Sequence, residues 1–129
     1  EFKAHNISFK HMSVVSETGK KPFANITLEI NGESKSAKSS GDGAVDAAYN
    51  AIEKIVNSKT ELLLYSVNNI TSGTDAQGEV TVRIKKENSI YNGHGADTDI
   101  VKASVLALIN ALNKYIQNPN LDISKKRGV

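Results

Sequence analysis

The sequence contains no cysteine, no tryptophan and only two prolines among its 129 residues. Without cysteine, neither a disulfide framework nor a thiolate metal site can form, which fits a reducing compartment. No apolar run approaches the ~18 residues that a membrane-spanning helix needs, and no signal-peptide pattern is found in the sequence given. We therefore expect a cytoplasmic location and no membrane partner. Because the chain opens at Glu1, we also expect it to belong to a longer protein.

Aromatic residues are scarce, at 5% of the sequence. Sheets that bind RNA stack the bases on aromatic side chains, and this sequence has only seven aromatic residues in all. The net charge is only +2, with both signs interleaved. The one basic cluster, Lys125-Lys126-Arg127, lies in the tail, where a solvated segment is the simpler interpretation. We therefore expect no nucleic-acid partner.

Catalytic and metal-binding patterns are also missing from the sequence. The three histidines, His5, His11 and His94, are scattered, and they form neither a His-x-His spacing nor a Ser-His-Asp grouping. We therefore expect no catalytic residue, no metal ligand and no cofactor in this chain.

Hydrophobic alternation in the first half predicts three strands, over residues 9–16, 23–30 and 33–39. The middle strand places four apolar residues on one face: Ala24, Ile26, Leu28 and Ile30. Asn31-Gly32 predicts a two-residue type I′ hairpin turn after it. A helix is predicted over 44–57, with this apolar stripe: Val45, Ala48, Ile52, Ile55 and Val56.

The second half repeats this order, with strands predicted over 62–70, 79–85 and 89–92 and a helix over 99–115. Strict alternation in the first of these strands places Leu62 and Tyr65 on opposite faces. The two helices match at a spacing of 53 residues, and the second carries these small residues: Ala103, Ser104, Ala107 and Ala111. The pattern predicts an α+β fold of two pseudo-symmetric βββα units packed as a two-layer domain.

The predicted units are residues 8–57 and 61–116 of a single 129-residue domain, followed by a tail at 117–129. A glycine motif recurs within them, as Gly41-Asp42-Gly43 and again as Gly93-His94-Gly95. Each copy is predicted to be a loop that leads into a helix.

Such a loop presents free N–H groups and the positive end of the helix dipole to an anion. The alternative is that the glycines only make a sharp turn, while Asp42, Asp97 or Thr98 caps the helix. The pattern is neither a dinucleotide fingerprint, since a third glycine is missing, nor a Walker loop, since no Gly-Lys-Ser/Thr follows.

The acidic residues near these loops indicate which anion would fit. A phosphate would be repelled by the carboxylates of Asp42, Asp46, Asp97 and Asp99. A zwitterionic amino acid would instead offer its carboxylate to the N–H groups and its ammonium to an aspartate. An aliphatic side chain, worth about 1.5–3 kcal/mol when buried, could pack on these apolar residues: Val45, Leu62, Tyr65 and Ala96. The residues therefore predict an amino-acid site.

Four ordered motifs resemble the C-terminal regulatory domain of 2-isopropylmalate synthase. They are GDGAVDAA at 41–48, YSVN at 65–68, GTDAQGEV at 73–80 and GADTDIV at 95–101, and INALNK at 109–114 matches as well. The resemblance covers about residues 8 to 116.

The resemblance implies a parent enzyme that condenses acetyl-CoA with 2-oxoisovalerate in leucine biosynthesis. Its catalytic TIM barrel, absent from this chain, would carry the divalent metal. The domain itself would be non-catalytic, form a homodimer and bind L-leucine as feedback inhibitor between its two units. The leucine-binding positions implied by the motifs are Asp42, Gly43, Val45, Asp46, Leu62, Tyr65, Asn69, Ala76, Gly95, Ala96 and Asp97.

Two alternatives stay open at this point. Citramalate synthase, which is inhibited by isoleucine, carries a similar domain, but its second loop usually lacks the Ala-Asp-Thr-Asp found at 96–99. A purely structural dimer domain would dimerise and ignore amino acids.

Overall fold

The computed structural model describes residues 6–70 and 77–119, excluding the side chains of Asn69 and Ile70. Three strands and a helix follow one another twice, which confirms the predicted α+β fold of two βββα units. The elements are β1 (Ile7–Val15), β2 (Phe23–Ile30), β3 (Glu33–Ser40), α1 (Ala44–Val56), β4 (Glu61–Ile70), β5 (Gln77–Lys86), β6 (Ser89–Asp97) and α2 (Ile100–Gln117). The chain divides into two compact units, Glu1–Ser58 and Lys59–Val129. Neither described helix is long and apolar enough to cross a membrane.

The first unit is an antiparallel sheet in the order β1-β2-β3, with α1 packed on β2 and β3. The predicted inward face of β2 is confirmed, because all four of its apolar residues are buried. The predicted stripe of α1 is partly wrong, since Val45 and Ile55 are only half-buried. Ala47 and Ala51 are fully buried instead, because small side chains let the helix lie close to the sheet.

The turn between β2 and β3 is the predicted one. Asn31 has φ 54° and Gly32 has φ 84°, and the strands pair from Ile30 and Glu33 outward. A type I′ turn needs positive φ at both central residues, which Asn and Gly adopt at low cost. The dipeptide therefore sets the register of this hairpin.

The second unit is an antiparallel sheet in the order β4-β5-β6, with α2 packed on β5 and β6. Val80, Val82 and Ile84 are buried on the inner face of β5, as predicted. The third strand differs from the prediction, because β6 continues to Asp97 instead of ending at Asn92.

The extension of β6 places Gly93 and Gly95 inside a strand, so the predicted second glycine loop is wrong. Both glycines face α2, opposite Val82 and Val80 of β5. A Cβ added at Gly93 would lie 2.6 Å from the backbone nitrogen of Ala111, and one at Gly95 would lie 2.6 Å from that of Ala107. These glycines therefore serve the close approach of a helix to a strand.

A β-bulge occurs at the same place in the first strand of each unit. Lys10 is the extra residue in β1, and Leu63 is the extra residue in β4. A bulge moves the following residues to the opposite face. As a result, Leu62 and Tyr65 both lie on the helix-facing side of the sheet, opposite Ile84 and Val82; the prediction of opposite faces is wrong.

The second unit also has the longer connection between its first two strands. Ala24 follows its partner Val14 by ten positions, whereas Val80 follows its partner Val67 by thirteen. The equivalence between the units therefore shifts from a spacing of 53 residues in the first strands to 56 afterwards.

The buried faces of the helices obey the longer spacing, so the predicted helix match at 53 is wrong. At 56, each buried residue of α1 coincides with a buried residue of α2: Ala47 with Ala103, Ala48 with Ser104, Ala51 with Ala107, Ile52 with Leu108 and Val56 with Leu112. The counterpart of Gly41-Asp42-Gly43 is then Asp97-Thr98-Asp99. The repeat lies in the fold, and the glycines of the two halves are not equivalent.

Candidate functional site

Gly43 is the N-cap residue of α1, and its backbone is extended (φ −141°). No side chain of the described residues caps this helix end. Gly43 accepts the first helical hydrogen bond, from Ala47, so the N–H groups of the first turn, before Ala47, have no acceptor within the helix. This end of α1 can bind an anion without displacing a cap.

Carboxylates stand beside this helix end. Asp42 forms an ion pair with Lys21 (3.2 Å) in which both side chains are largely exposed, and Asp46 lies exposed in the first turn. An exposed pair of this kind contributes little stability, so an incoming ammonium group can compete with Lys21 for Asp42. An open polar cleft is lined here by Lys21, Ser40, Gly41, Asp42, Asp46 and Asn50.

Two hydrogen bonds to backbone carbonyls hold the loop before α1. Asn50 donates to the Ser40 carbonyl (3.0 Å), and the Gly41 N–H donates to the Pro22 carbonyl (3.2 Å). A Cβ at Gly41 would lie 2.7 Å from the backbone carbon of Asp46, so this loop passes too close to α1 for a side chain. The position of Asp42 is therefore set by its neighbours.

The N-terminus of α2 is closed by its own sequence. The Asp99 Oδ1 atom accepts from the N–H groups of Val101 (2.9 Å) and Lys102 (3.4 Å). Asp97 accepts from the Asp99 N–H (2.9 Å) and lies 3.8 Å from the Lys102 ammonium. Asp99 is therefore the cap of α2, and the prediction that Asp42, Asp97 or Thr98 caps a helix is wrong.

Removing this cap gives a first test. We expect Asp99→Ala to lower the free energy of unfolding by about 1 kcal/mol, because two N–H groups lose their acceptor. Asp42→Ala is the matched control, since Asp42 caps no helix and should change stability by no more than about 0.5 kcal/mol. Urea unfolding measures both. Equal losses would show that Asp99 does not act as a cap.

Apolar side chains are exposed along β4. The exposed fractions are 46% for Leu62, 42% for Leu63, 39% for Leu64, 37% for Tyr65 and 41% for Val67. Three of these residues, Leu62, Tyr65 and Val67, lie on the helix-facing side, opposite buried residues of β5; we call them the β4 strip. The strip is open because α2 packs mainly on the other two strands.

One member of the strip is tied to the helix. The Tyr65 hydroxyl lies 2.6 Å from the Ser104 Oγ, and Ser104 donates to the Ile100 carbonyl (2.7 Å). The sequence pattern places Ser104 among the small residues of α2 and does not mark it as a site residue. The only available signal was a hydroxyl in an otherwise apolar stripe.

The structure gathers the predicted residues of the first unit in one place. Asp42, Gly43, Val45 and Asp46 all lie at the start of α1. In the second unit, Leu62 and Tyr65 share one face of β4, and Asn69 lies further along it, opposite Gly78, with its side chain outside the description. Ala76 falls outside the described residues.

The predicted residues of β6 do not form an open loop. Gly95 lies against α2, and Ala96 is exposed on the other face of the sheet, opposite Glu79. Asp97 is engaged at the start of α2. Across the described segments, no group of three or more His, Cys, Asp or Glu side chains is placed to hold a metal.

The sequence as a whole matches a known family over residues 1–116, that of the LeuA allosteric (dimerisation) domain. The chain belongs to this family. It is similar to 2-isopropylmalate synthases, which confirms the resemblance drawn from the motifs. That of Nitrosococcus oceani is 59% identical over 115 residues, covering 88% of this chain and 22% of the relative.

Two further relatives agree with this assignment. The 2-isopropylmalate synthase of Methylococcus capsulatus is 53% identical over 116 residues (90% of this chain, 23% of the relative). That of Nitrosomonas eutropha is 61% identical over 99 residues (77% and 19%). The chain thus spans about a fifth of the length of the relatives it matches, and the fifth that it spans is the LeuA domain.

Proposed function

We propose that this LeuA domain is the leucine-sensing regulatory part of a 2-isopropylmalate synthase. In this proposal it binds L-leucine as feedback inhibitor and mediates homodimerisation. The observation that carries the proposal is the family match over residues 1–116, together with relatives of 53–61% identity named 2-isopropylmalate synthase.

The enzyme of which this domain would be part condenses acetyl-CoA with 2-oxoisovalerate in leucine biosynthesis. Its catalytic barrel, with a divalent metal, would be supplied by the same polypeptide outside this chain. Within the chain we propose a single regulatory domain of two βββα units, residues 8–57 and 61–116, with a tail at 117–129.

The chemistry of the described surfaces supports an amino acid as effector. The N-terminus of α1 offers N–H groups to a carboxylate, and Asp42 offers a carboxylate to an ammonium group. We assign the carboxylate of leucine to α1 because Asp99 already occupies the corresponding N–H groups of α2. The proposed contacts remain those implied by the motifs, and the exposed strip residues Leu62 and Tyr65 offer apolar area for the side chain.

The exposure of the β4 strip also supports self-association. Isolated surface hydrophobics are ordinary, but contiguous apolar residues on an edge strand favour burial against another surface. β4 is an edge strand of its sheet. Homodimerisation is the proposed outcome because the family is described as a dimerisation domain.

Titration calorimetry of this chain with leucine, isoleucine and valine tests the proposal. We expect leucine to bind most tightly, with isoleucine and valine weaker by about 1–3 kcal/mol, because one methylene or a shifted branch changes little buried area. Sedimentation should show a dimer. Tighter binding of isoleucine would favour a citramalate synthase, and a folded dimer that gives no heat with any of the three would be a structural domain.

A further inference from the structure

Tyr65 reaches from β4 to α2, where its hydroxyl meets Ser104 near the start of the helix. The two oxygens are 2.6 Å apart, and Ser104 is fully buried. The Tyr65 residue as a whole is 37% exposed. Part of Tyr65 therefore stays accessible while its hydroxyl is held against a buried side chain.

The direction of this hydrogen bond follows from the next one. Ser104 donates its single hydroxyl proton to the Ile100 carbonyl (2.7 Å), which can only accept. The Tyr65 hydroxyl must then donate to the Ser104 oxygen. Ser104 thus acts as the fixed acceptor, since its own rotamer is set by the helix backbone.

The first unit shows that the fold does not require this pair. Met12 occupies the position of Tyr65, two residues after the bulge and opposite Ile26, and Ala48 occupies the position of Ser104. Neither side chain can form a strong hydrogen bond, yet that unit has the same sheet order, bulge and buried helix face. A buried hydroxyl costs free energy unless it is hydrogen-bonded. If close packing were the only requirement at position 104, alanine would therefore be sufficient.

We propose that Ser104 is a positioning residue for effector binding: it holds the Tyr65 ring in the orientation in which that ring packs against the aliphatic side chain of the amino acid. The inference rests on the proposed function, because it takes Tyr65 to contact leucine. It adds that leucine affinity depends on Ser104, a buried side chain that does not itself contact the ligand.

The test is leucine calorimetry on Ser104→Ala, Tyr65→Phe and the double variant. We expect each single variant to weaken leucine binding about 3- to 10-fold, because each loses the same hydrogen bond. The double variant should bind no more weakly than the weaker single variant. Alanine favours a helix, so Ser104→Ala should fold, which far-UV circular dichroism checks.

Tyr91→Phe is the matched control in the same unit. Tyr91 is buried, and its hydroxyl donates to the Asn118 carbonyl after α2. This variant should lose stability yet bind leucine as the wild type does. The chain has no tryptophan, so near-UV circular dichroism follows the tyrosines directly. The change in that signal on adding leucine should persist in Tyr91→Phe and diminish in Ser104→Ala.

Two results overturn the inference alone. One is a Ser104→Ala variant that binds leucine like the wild type, and the other is a double variant whose loss is the product of the single losses. A wild-type chain that binds no leucine overturns the proposed function, and this inference with it.

Discussion

Replacing Gly93 by alanine is expected to lower the free energy of unfolding of the second unit by about 3 kcal/mol. The added Cβ would lie 2.6 Å from the backbone nitrogen of Ala111 and 2.8 Å from its Cβ, and would also overlap the Ala107 carbonyl oxygen. These are backbone and Cβ atoms of α2, which cannot rotate away. Relief therefore requires the whole helix to move off the sheet, losing the close packing of its small residues.

Gly43→Ala is the matched control for this prediction. Nothing lies within 4 Å of a Cβ built at Gly43, and its φ of −141° suits any residue. The cost should stay below about 1 kcal/mol, the difference between glycine and alanine at a helix N-cap. Urea unfolding followed by circular dichroism compares the two variants. Similar unfolding midpoints for the two variants would mean that α2 does not pack closely against the β6 backbone.

In the proposed leucine site, replacing Asp42 by asparagine is expected to weaken leucine binding about 10- to 100-fold, because the proposed charge-assisted hydrogen bond to the ammonium group would be lost. The substitution keeps the shape of the side chain. Asp42 is largely exposed and its partner Lys21 is too, so stability should change by no more than about 0.5 kcal/mol. The loss should therefore appear in affinity and be absent from unfolding.

Glu17→Gln provides the control for the charge change. Glu17 pairs with Lys20 at 3.2 Å, the same separation as between Asp42 and Lys21, and both side chains are again exposed. This variant removes one carboxylate from the same unit and should bind leucine unchanged. Calorimetry on both variants decides the matter. Equal affinities for the Asp42 and Glu17 variants would remove Asp42 from the effector site.

Local sequence signals predicted those elements whose structure depends on neighbours in the chain. The alternation Ala24, Ile26, Leu28, Ile30 predicted a buried strand face, and Asn31-Gly32 predicted the turn that follows. Both predictions are confirmed because side-chain period and turn dihedrals are properties of a few consecutive residues.

Predictions failed where extra residues, in a bulge or in a connection, changed the spacing between residues on one face. Alternation assigned Leu62 and Tyr65 to opposite faces, but the bulge at Leu63 returns them to one face. Nothing in the apolar run 62–65 identifies which residue is left unpaired. The longer connection in the second unit likewise moved the helix match from 53 to 56 residues.

The predicted site residues likewise fall into a group that the structure confirms as neighbours and a group that it places differently. Motif positions at the start of α1 were predicted together and lie together, from Asp42 to Asp46. The positions on β6 were predicted to form a second loop, but Gly95 and Asp97 lie in a strand against or beside α2. A glycine has the same sequence signature in a turn as under a closely packed helix, so the motif alone could not distinguish the two.

The two βββα units and the family follow from local patterns, because periodicity and ordered motifs can be recognised along the chain. The folded chain was needed to identify which glycines form a loop, which aspartate caps α2, and the hydrogen bond between Tyr65 and Ser104, 39 positions away. The glycine and tyrosine contacts depend on what each residue meets across the sheet or on the helix, and the cap depends on where β6 ends and α2 begins. The distance between helix and sheet, which determines these contacts, is set by all the side chains packed between them and by no single local pattern.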